Sequence, residues 1–236
     1  MLRHSAQRGQ ARVETLFVMF VTLIWLFGII QFGLFYNAKT VLNYATFEAA
    51  RAGSLNYGSP QAINYALARS LAALESSSGS SQYERYLNSQ TKYLDRIDAG
   101  NSVCVQRINP PVSSPHWQPS TDADGYFSRY IPNDHLRYRS AQIKQGMSIQ
   151  DANLLKIRVT YCHEIIVPFY ATIIKRLMVR SAIDEDPNPI PNYVAPNVGS
   201  FAEQCYLNDS VPIEAQAIMR MQTPIRDYEF VDDCNG

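Results

Sequence analysis

The chain has 236 residues, of which 21 are basic and 21 acidic, so it carries no net charge. That balance supplies no basic stripe of the kind a phosphate backbone requires, which excludes nucleic acid as a partner. The length allows one domain of ordinary size in addition to any leader and membrane span.

The chain opens on a short basic leader. Arg3, Arg8 and Arg12 precede the first acid, Glu14, and from Thr15 to Ala38 no residue is charged. This run of about 24 residues would extend about 36 Å as a helix, against a hydrocarbon core of roughly 30 Å. Between Leu16 and Phe35 only Thr22 and Gln31 interrupt its apolar content, which leaves no polar face for an interfacial helix. A cleaved secretory signal has a shorter apolar core and ends at small residues. Here the run continues into Tyr36, Asn37 and Ala38, and it therefore reads as a retained anchor. The basic end stays on the cytoplasmic side, and the lipid bilayer is the first partner.

Glu14 stands at the edge of this span. An acid in a first helical turn is favoured by the helix dipole, which is the structural reading of the residue. The functional reading starts from Gly9, five residues earlier. A cut between Gly9 and Gln10 would create an amine at Gln10, one helical turn from the Glu14 carboxylate. That amine could equally meet the carboxylate of a neighbouring helix, and only one vertical stagger would join the two charges. Such a pair would order a helical assembly.

Past the span, Lys39 to Gly53 continues the helix, with Ala45, Ala49 and Ala52 as a small-residue stripe and Gly53 and Gly58 marking its end. Ser59-Pro60 opens a second helix with a cap and a first-turn proline, carrying Ile63, Ala66, Leu67, Ser70, Leu71 and Leu74 at helical spacing. The serine-rich stretch from Glu75 to Ser81 reads as a flexible linker. Tyr83, Tyr86, Leu87, Leu94 and Ile97 then predict a third amphipathic helix with these residues in the core. Strand patterns follow over 102–108, 154–162 and 213–222. In the last, Ile213, Ala215, Ala217, Met219 and Met221 alternate with Glu214, Gln216, Ile218, Arg220 and Gln222, predicting a sheet with one face mostly exposed. Two proline-rich excursions, 109–134 and 184–196, are too long for structureless connections. Between them, Pro168 is expected to open a helix with Phe169, Ile173 and Leu177 that caps the sheet. The result is an antiparallel sheet on the long helix, an α+β plan.

The four cysteines, Cys104, Cys162, Cys205 and Cys234, all follow the span, on the side where disulfides persist. Three pairings are possible. Antiparallel pairing of the second and third strands brings Cys162 toward Cys205, which leaves Cys104 for Cys234. No cysteine or histidine spacing suits zinc. His4, His116, His135 and His163 lie in no nucleophile or metal motif, and Cys162 and His163 are strand neighbours that face opposite ways. Asp122-Ala123-Asp124-Gly125 lacks the rest of a calcium loop and reads as a turn. No catalytic residue, metal site or cofactor is expected, and the chain does not read as an enzyme.

Arg8-Gly9-Gln10-Ala11-Arg12-Val13-Glu14, Phe32-Gly33-Leu34-Phe35-Tyr36 and Glu48-Ala49-Ala50-Arg51-Ala52-Gly53 occur in that order. Together they resemble the amino-terminal segment of the TadE-like minor pilins, or pseudopilins, of the tight-adherence (Tad, Flp-type) pilus. Two later pieces are also similar, Lys156 to Tyr161 followed by Val167-Pro168, and Ala215 to Met221. The resemblance implies a pilin-like α+β fold, with a leader at 1–9, a transmembrane and extended helix at 10–58 and an exported disulfide-containing domain at 59–236. It implies processing by a prepilin peptidase between Gly9 and Gln10 and an assembly role for Glu14. Its implied partners are that peptidase, the major Flp-type pilin, other minor pilins and the inner-membrane assembly platform. The implied location is the bacterial inner membrane, crossed once, with the amino terminus cytoplasmic and the domain periplasmic or carried into the pilus. The competing reading is a permanently anchored envelope protein with an adhesive or binding domain that enters no filament.

Overall fold

The computed structural model describes residues 7–75, 77–100, 102–120, 129–167, 170–172, 174 and 201–230, with residues 7–13 as backbone. Helix α1 (Gln7–Leu55) is followed by α2 (Pro60–Leu71), α3 (Gln82–Asp98), β1 (Val103–Asn109), β2 (Gln118–Pro119), β3 (Arg129–Ile131) and α4 (Ile149–Ala152). Then come β4 (Leu154–Glu164), α5 (Phe201–Leu207), β5 (Ser210–Arg220) and β6 (Ile225–Arg226). The long strands form one antiparallel sheet in the order β1-β4-β5, and β2-β3-β6 form a second, smaller one. The fold is α+β, with a long apolar amino-terminal helix.

The two halves of α1 differ in kind. From Leu16 to Ile30 its large apolar side chains are exposed on every side. Beyond this point burial becomes one-sided, since Gln31, Phe35, Ala38, Leu42, Ala45, Ala49 and Gly53 recur every three or four residues along the packed face. Small residues there let α1 lie close to β5, which presents Ala215 and Ala217 to the same core. The small-residue stripe thus packs inside the domain. It uses Ala45, Ala49 and Ala50, with Ala52 half-buried.

Gly53 does not end the helix but sits buried in its last turns. A Cβ there would stand 2.7 Å from Ile63 Cγ1 of α2 and 2.8 Å from Leu155 Cδ2 of β4. Glycine is what allows three elements to meet at this point. Gly53→Val should cost about 1–3 kcal/mol by overpacking, read as a lowered thermal midpoint. The helix ends where Tyr57 takes a positive φ and the Gly58 amide donates back to the Gly53 carbonyl over 2.8 Å.

Ser59 caps α2 by position, with extended backbone and Pro60 in the first turn, although its side chain makes no capping bond. Ile63, Leu67, Ala68 and Leu71 of α2 enter the core. The serine-rich linker is held rather than loose. Ser89 Oγ of α3 donates to the Glu75 carbonyl, Asn88 Nδ2 to the Ser78 carbonyl, and the Ser80 amide donates to Glu84 Oε2. Short polar side chains on α3 satisfy the linker's backbone groups, which composition alone does not reveal. Glu75 also pairs with Lys92 and Arg96. Partial burial works against its ionisation, yet these two cations hold its carboxyl below the usual value.

Helix α3 departs from expectation. Tyr83, Tyr86 and Leu87 are exposed, while Ser89, Gln90, Tyr93 and Ile97 are buried. The buried side of α3 lies in its carboxy-terminal half, while in the first half Tyr86 reaches α2 only through its hydroxyl, which donates to the Arg69 carbonyl at 3.4 Å. Tyr93 packs on Tyr161 with ring centroids 6.3 Å apart, and burial pushes both phenols up.

The sheet follows the expected alternation. Leu155, Ile157, Val159 and Tyr161 of β4 pair with Met219, Ala217, Ala215 and Ile213 of β5, and these residues turn to one side. Cys162 at the end of β4 is bridged to Cys205 of α5. Cys104 is disulfide-bonded as well, while Cys234 lies outside the described residues. The first excursion contains β2 and β3, and 121–128, with the expected turn at Asp122 to Gly125, lies outside the described residues. So do His4 and the second excursion.

His163, next to the bridge, packs edge-on against Phe35 of α1 at 6.1 Å and beside Tyr161 at 6.2 Å. Burial pushes its imidazole below the ordinary value, opposed by Glu164. With the folded value depressed, the contribution is intact above the unfolded value of about 6.5. It is lost as pH falls through the folded value. The thermal midpoint should therefore drop on acidification below pH about 6.5, and His163→Phe should flatten that slope. The Glu75 contribution lies below its ordinary 4.5, outside this window.

Candidate functional site: the anchor helix and its seat

Gly9 and Gln10 both fall inside α1, which begins at Gln7 and runs without a break to Leu55. Gln10 and Glu14 are therefore one turn apart on a single helix, the placement in which residues four apart lie on one face. Glu14 is exposed, directly before the apolar stretch. Among the described residues no ion-pair partner to it is found.

Beyond Glu14 the helix is apolar on all sides and long enough to cross a membrane. Phe17, Trp25, Ile29 and Phe32 are 70, 71, 68 and 72 % exposed, values that a helix in water would not sustain over such a length. The two polar interruptions are handled locally. Thr22 Oγ1 donates to the Val18 carbonyl one turn back, at 2.7 Å. Gln31, only 8 % exposed, accepts the Val167 amide on Oε1 at 3.1 Å.

The domain is tied to α1 where the apolar stretch ends. Lys39, the first charge after the span, donates through Nζ to the Glu214 carbonyl of β5. Further along, Thr46 Oγ1 donates to the Leu42 carbonyl, so the buried hydroxyl is satisfied within the helix. The domain thus begins at the end of the apolar stretch, with no linker between anchor and core.

Two features of this seat escape a reading of the sequence. One is the segment after β4. It reaches α1, where the Tyr170 hydroxyl donates to the Ile24 carbonyl at 2.8 Å. Residues 170–172 and 174 are helical, while Pro168, Phe169, Ile173 and Leu177 lie outside the described residues. The signal that could have found it was Gln31, a lone amide in a span with no other polar group nearby. The other feature is α5, whose Phe201 and Cys205 form a small apolar cluster with Cys104 and Cys162. Cys205 alone signalled it.

An all-round apolar helix that runs into the core of a small α+β domain is the plan of a membrane-anchored protein whose span continues directly into its domain. Residues 9–51 match the family model described as TadE-like protein, so this segment of the chain is similar to that family. The match begins at Gly9 and lies wholly within α1. It takes in the apolar stretch and most of the packed face. Neither the curated proteins nor the solved structures yield a match to the chain.

Proposed function

We propose that the chain is a minor pilin of a Tad-type pilus, matured by removal of the leader and anchored by α1 while its domain stands on the exported side. The observation that carries this reading is the extent of the TadE-like match, which starts at the residue where the cut would fall and covers only the helix that would enter a bundle. A TadE-like family implies association with the Tad pilus machinery.

In this reading a prepilin peptidase cleaves between Gly9 and Gln10, and the new amine is one turn from Glu14. In a bundle of such helices the amine of one subunit meets the carboxylate of the next. Charges at the edge of the hydrocarbon are costly unless paired, so the pairing selects one stagger. The exposed apolar surface between Leu16 and Phe32 supplies the packing, against lipid before assembly and against other pilin helices after it. The partners are the peptidase, the major Flp-type pilin, other minor pilins and the assembly platform.

Gly9→Leu tests the first step, because a bulky side chain at the cut blocks the peptide from an active site shaped for glycine. The full-length chain should then accumulate in the membrane, heavier by the leader, and piliation should be lost. Normal maturation of Gly9→Leu would count against the assigned cut.

A further inference from the structure

The segment from Ile165 to Ile174 contains no charged residue, and Lys175-Arg176 follows it. It touches α1 at two heights. The Val167 amide reaches Gln31, and the Tyr170 hydroxyl reaches the Ile24 carbonyl, seven residues closer to the amino terminus. Gly28 lies between these heights and leaves room for the ring, since a Cβ there would stand 2.7 Å from Tyr170 Oη. Val167 and Tyr170 therefore contact the apolar half of α1 at heights about 10 Å apart at the helical rise.

A hydrocarbon core of roughly 30 Å covers about 20 helical residues. Wherever those residues are placed between Thr15 and Ala38, both Ile24 and Gln31 fall inside it. What lies against them is inside as well. We propose that this segment is a second lipid-contacting element, immersed beside the anchor from the domain side to the middle of the bilayer. The inference rests on the reading that α1 crosses the membrane, and it holds whether or not the chain enters a filament.

The polar groups of the segment are arranged for that environment. Hydrocarbon offers no hydrogen-bond partner, so each backbone or hydroxyl group must find one in the protein. Val167 gives its amide to Gln31, and Tyr170 gives its hydroxyl to a main-chain carbonyl. Pro168 has no amide hydrogen to place. Gln31, an unfavourable residue for a lipid-facing helix, is thereby covered, while Ile30 and Phe32 on either side remain 48 and 72 % exposed. Ile166 is 68 % exposed and is the side chain offered to acyl chains.

The test uses the full chain in phosphatidylcholine vesicles with brominated acyl chains, which quench tryptophan only on contact. In a Trp25→Phe background, Ile166→Trp reports on the segment and Phe20→Trp on the span, with Trp117 of the parent as the constant signal. Immersion predicts that the emission added by Ile166→Trp is lost to the same extent as that added by Phe20→Trp. Quenching of Phe20→Trp alone overturns the proposal and leaves the span standing. If neither is quenched, the span fails and the proposal falls with it.

Discussion

Glu14→Gln is expected to leave the protein exported and folded while filament assembly collapses. The carboxylate is exposed at the edge of the apolar stretch, far along α1 from the core residues that begin at Ala38, so its loss removes no packing within the chain. What it removes is the mate of a neighbour's terminal amine. Breaking a buried ion pair from one side costs about 3–5 kcal/mol, because the remaining charge is left uncompensated. At about 1.4 kcal/mol per factor of ten, the association equilibrium falls roughly a hundredfold to several-thousandfold. Glutamine keeps size and hydrogen-bonding capacity, which separates charge from shape. Counting pili by electron microscopy alongside domain levels by immunoblot checks the outcome. Full piliation with Glu14→Gln would remove the charge pair from the account.

The second large effect concerns the Cys162–Cys205 bridge, which closes a sequence separation of 43 residues. In the chain-entropy picture a loop of that length stabilises the fold by about 4 kcal/mol. The bridge links the end of β4 to α5. The double substitution Cys162→Ala with Cys205→Ala avoids leaving a lone thiol. It should lower the thermal midpoint by roughly 8–16 °C, given about 2–4 °C per kcal/mol for a chain of this size. Circular dichroism of the protein in detergent micelles provides the reading. A midpoint within a degree of the parent would show that packing, not the bridge, holds α5 in place.

Much of this architecture is legible in the sequence because its strongest signals are local. The charge-free run from Thr15 to Ala38 announces α1, and the alternation from Ile213 to Met221 announces β5 with its covered face. The antiparallel pairing of β4 with β5 places Cys162 near the start of β5, which is enough to suggest its bridge. What periodicity does not carry is the identity of the surface that covers a face. Tyr83 and Tyr86 have helical spacing but exposed rings, whereas Tyr93, with the same side chain, is buried against Tyr161 of β4. The serine-rich linker has the composition of loose chain, and its order comes from Asn88 and Ser89 on a different element. The contact between Tyr170 and Ile24 joins residues 146 apart in sequence. Of the candidate site itself, Gly9, Gln10 and Glu14 are legible from spacing and charge, while the seat formed by Gln31, Lys39 and Gly28 depends on long-range contacts that no local pattern encodes.

Everything in the assembly scheme depends on a new amine one turn before Glu14. The direct measurement is the mass of the amino-terminal peptide of the protein isolated from the membranes of pilus-forming cells. The scheme predicts a chain beginning at Gln10, without the residues through Gly9. A functional protein that still carries Met1 or Leu2 at its start would contradict it and would favour an anchored envelope protein that never joins a filament.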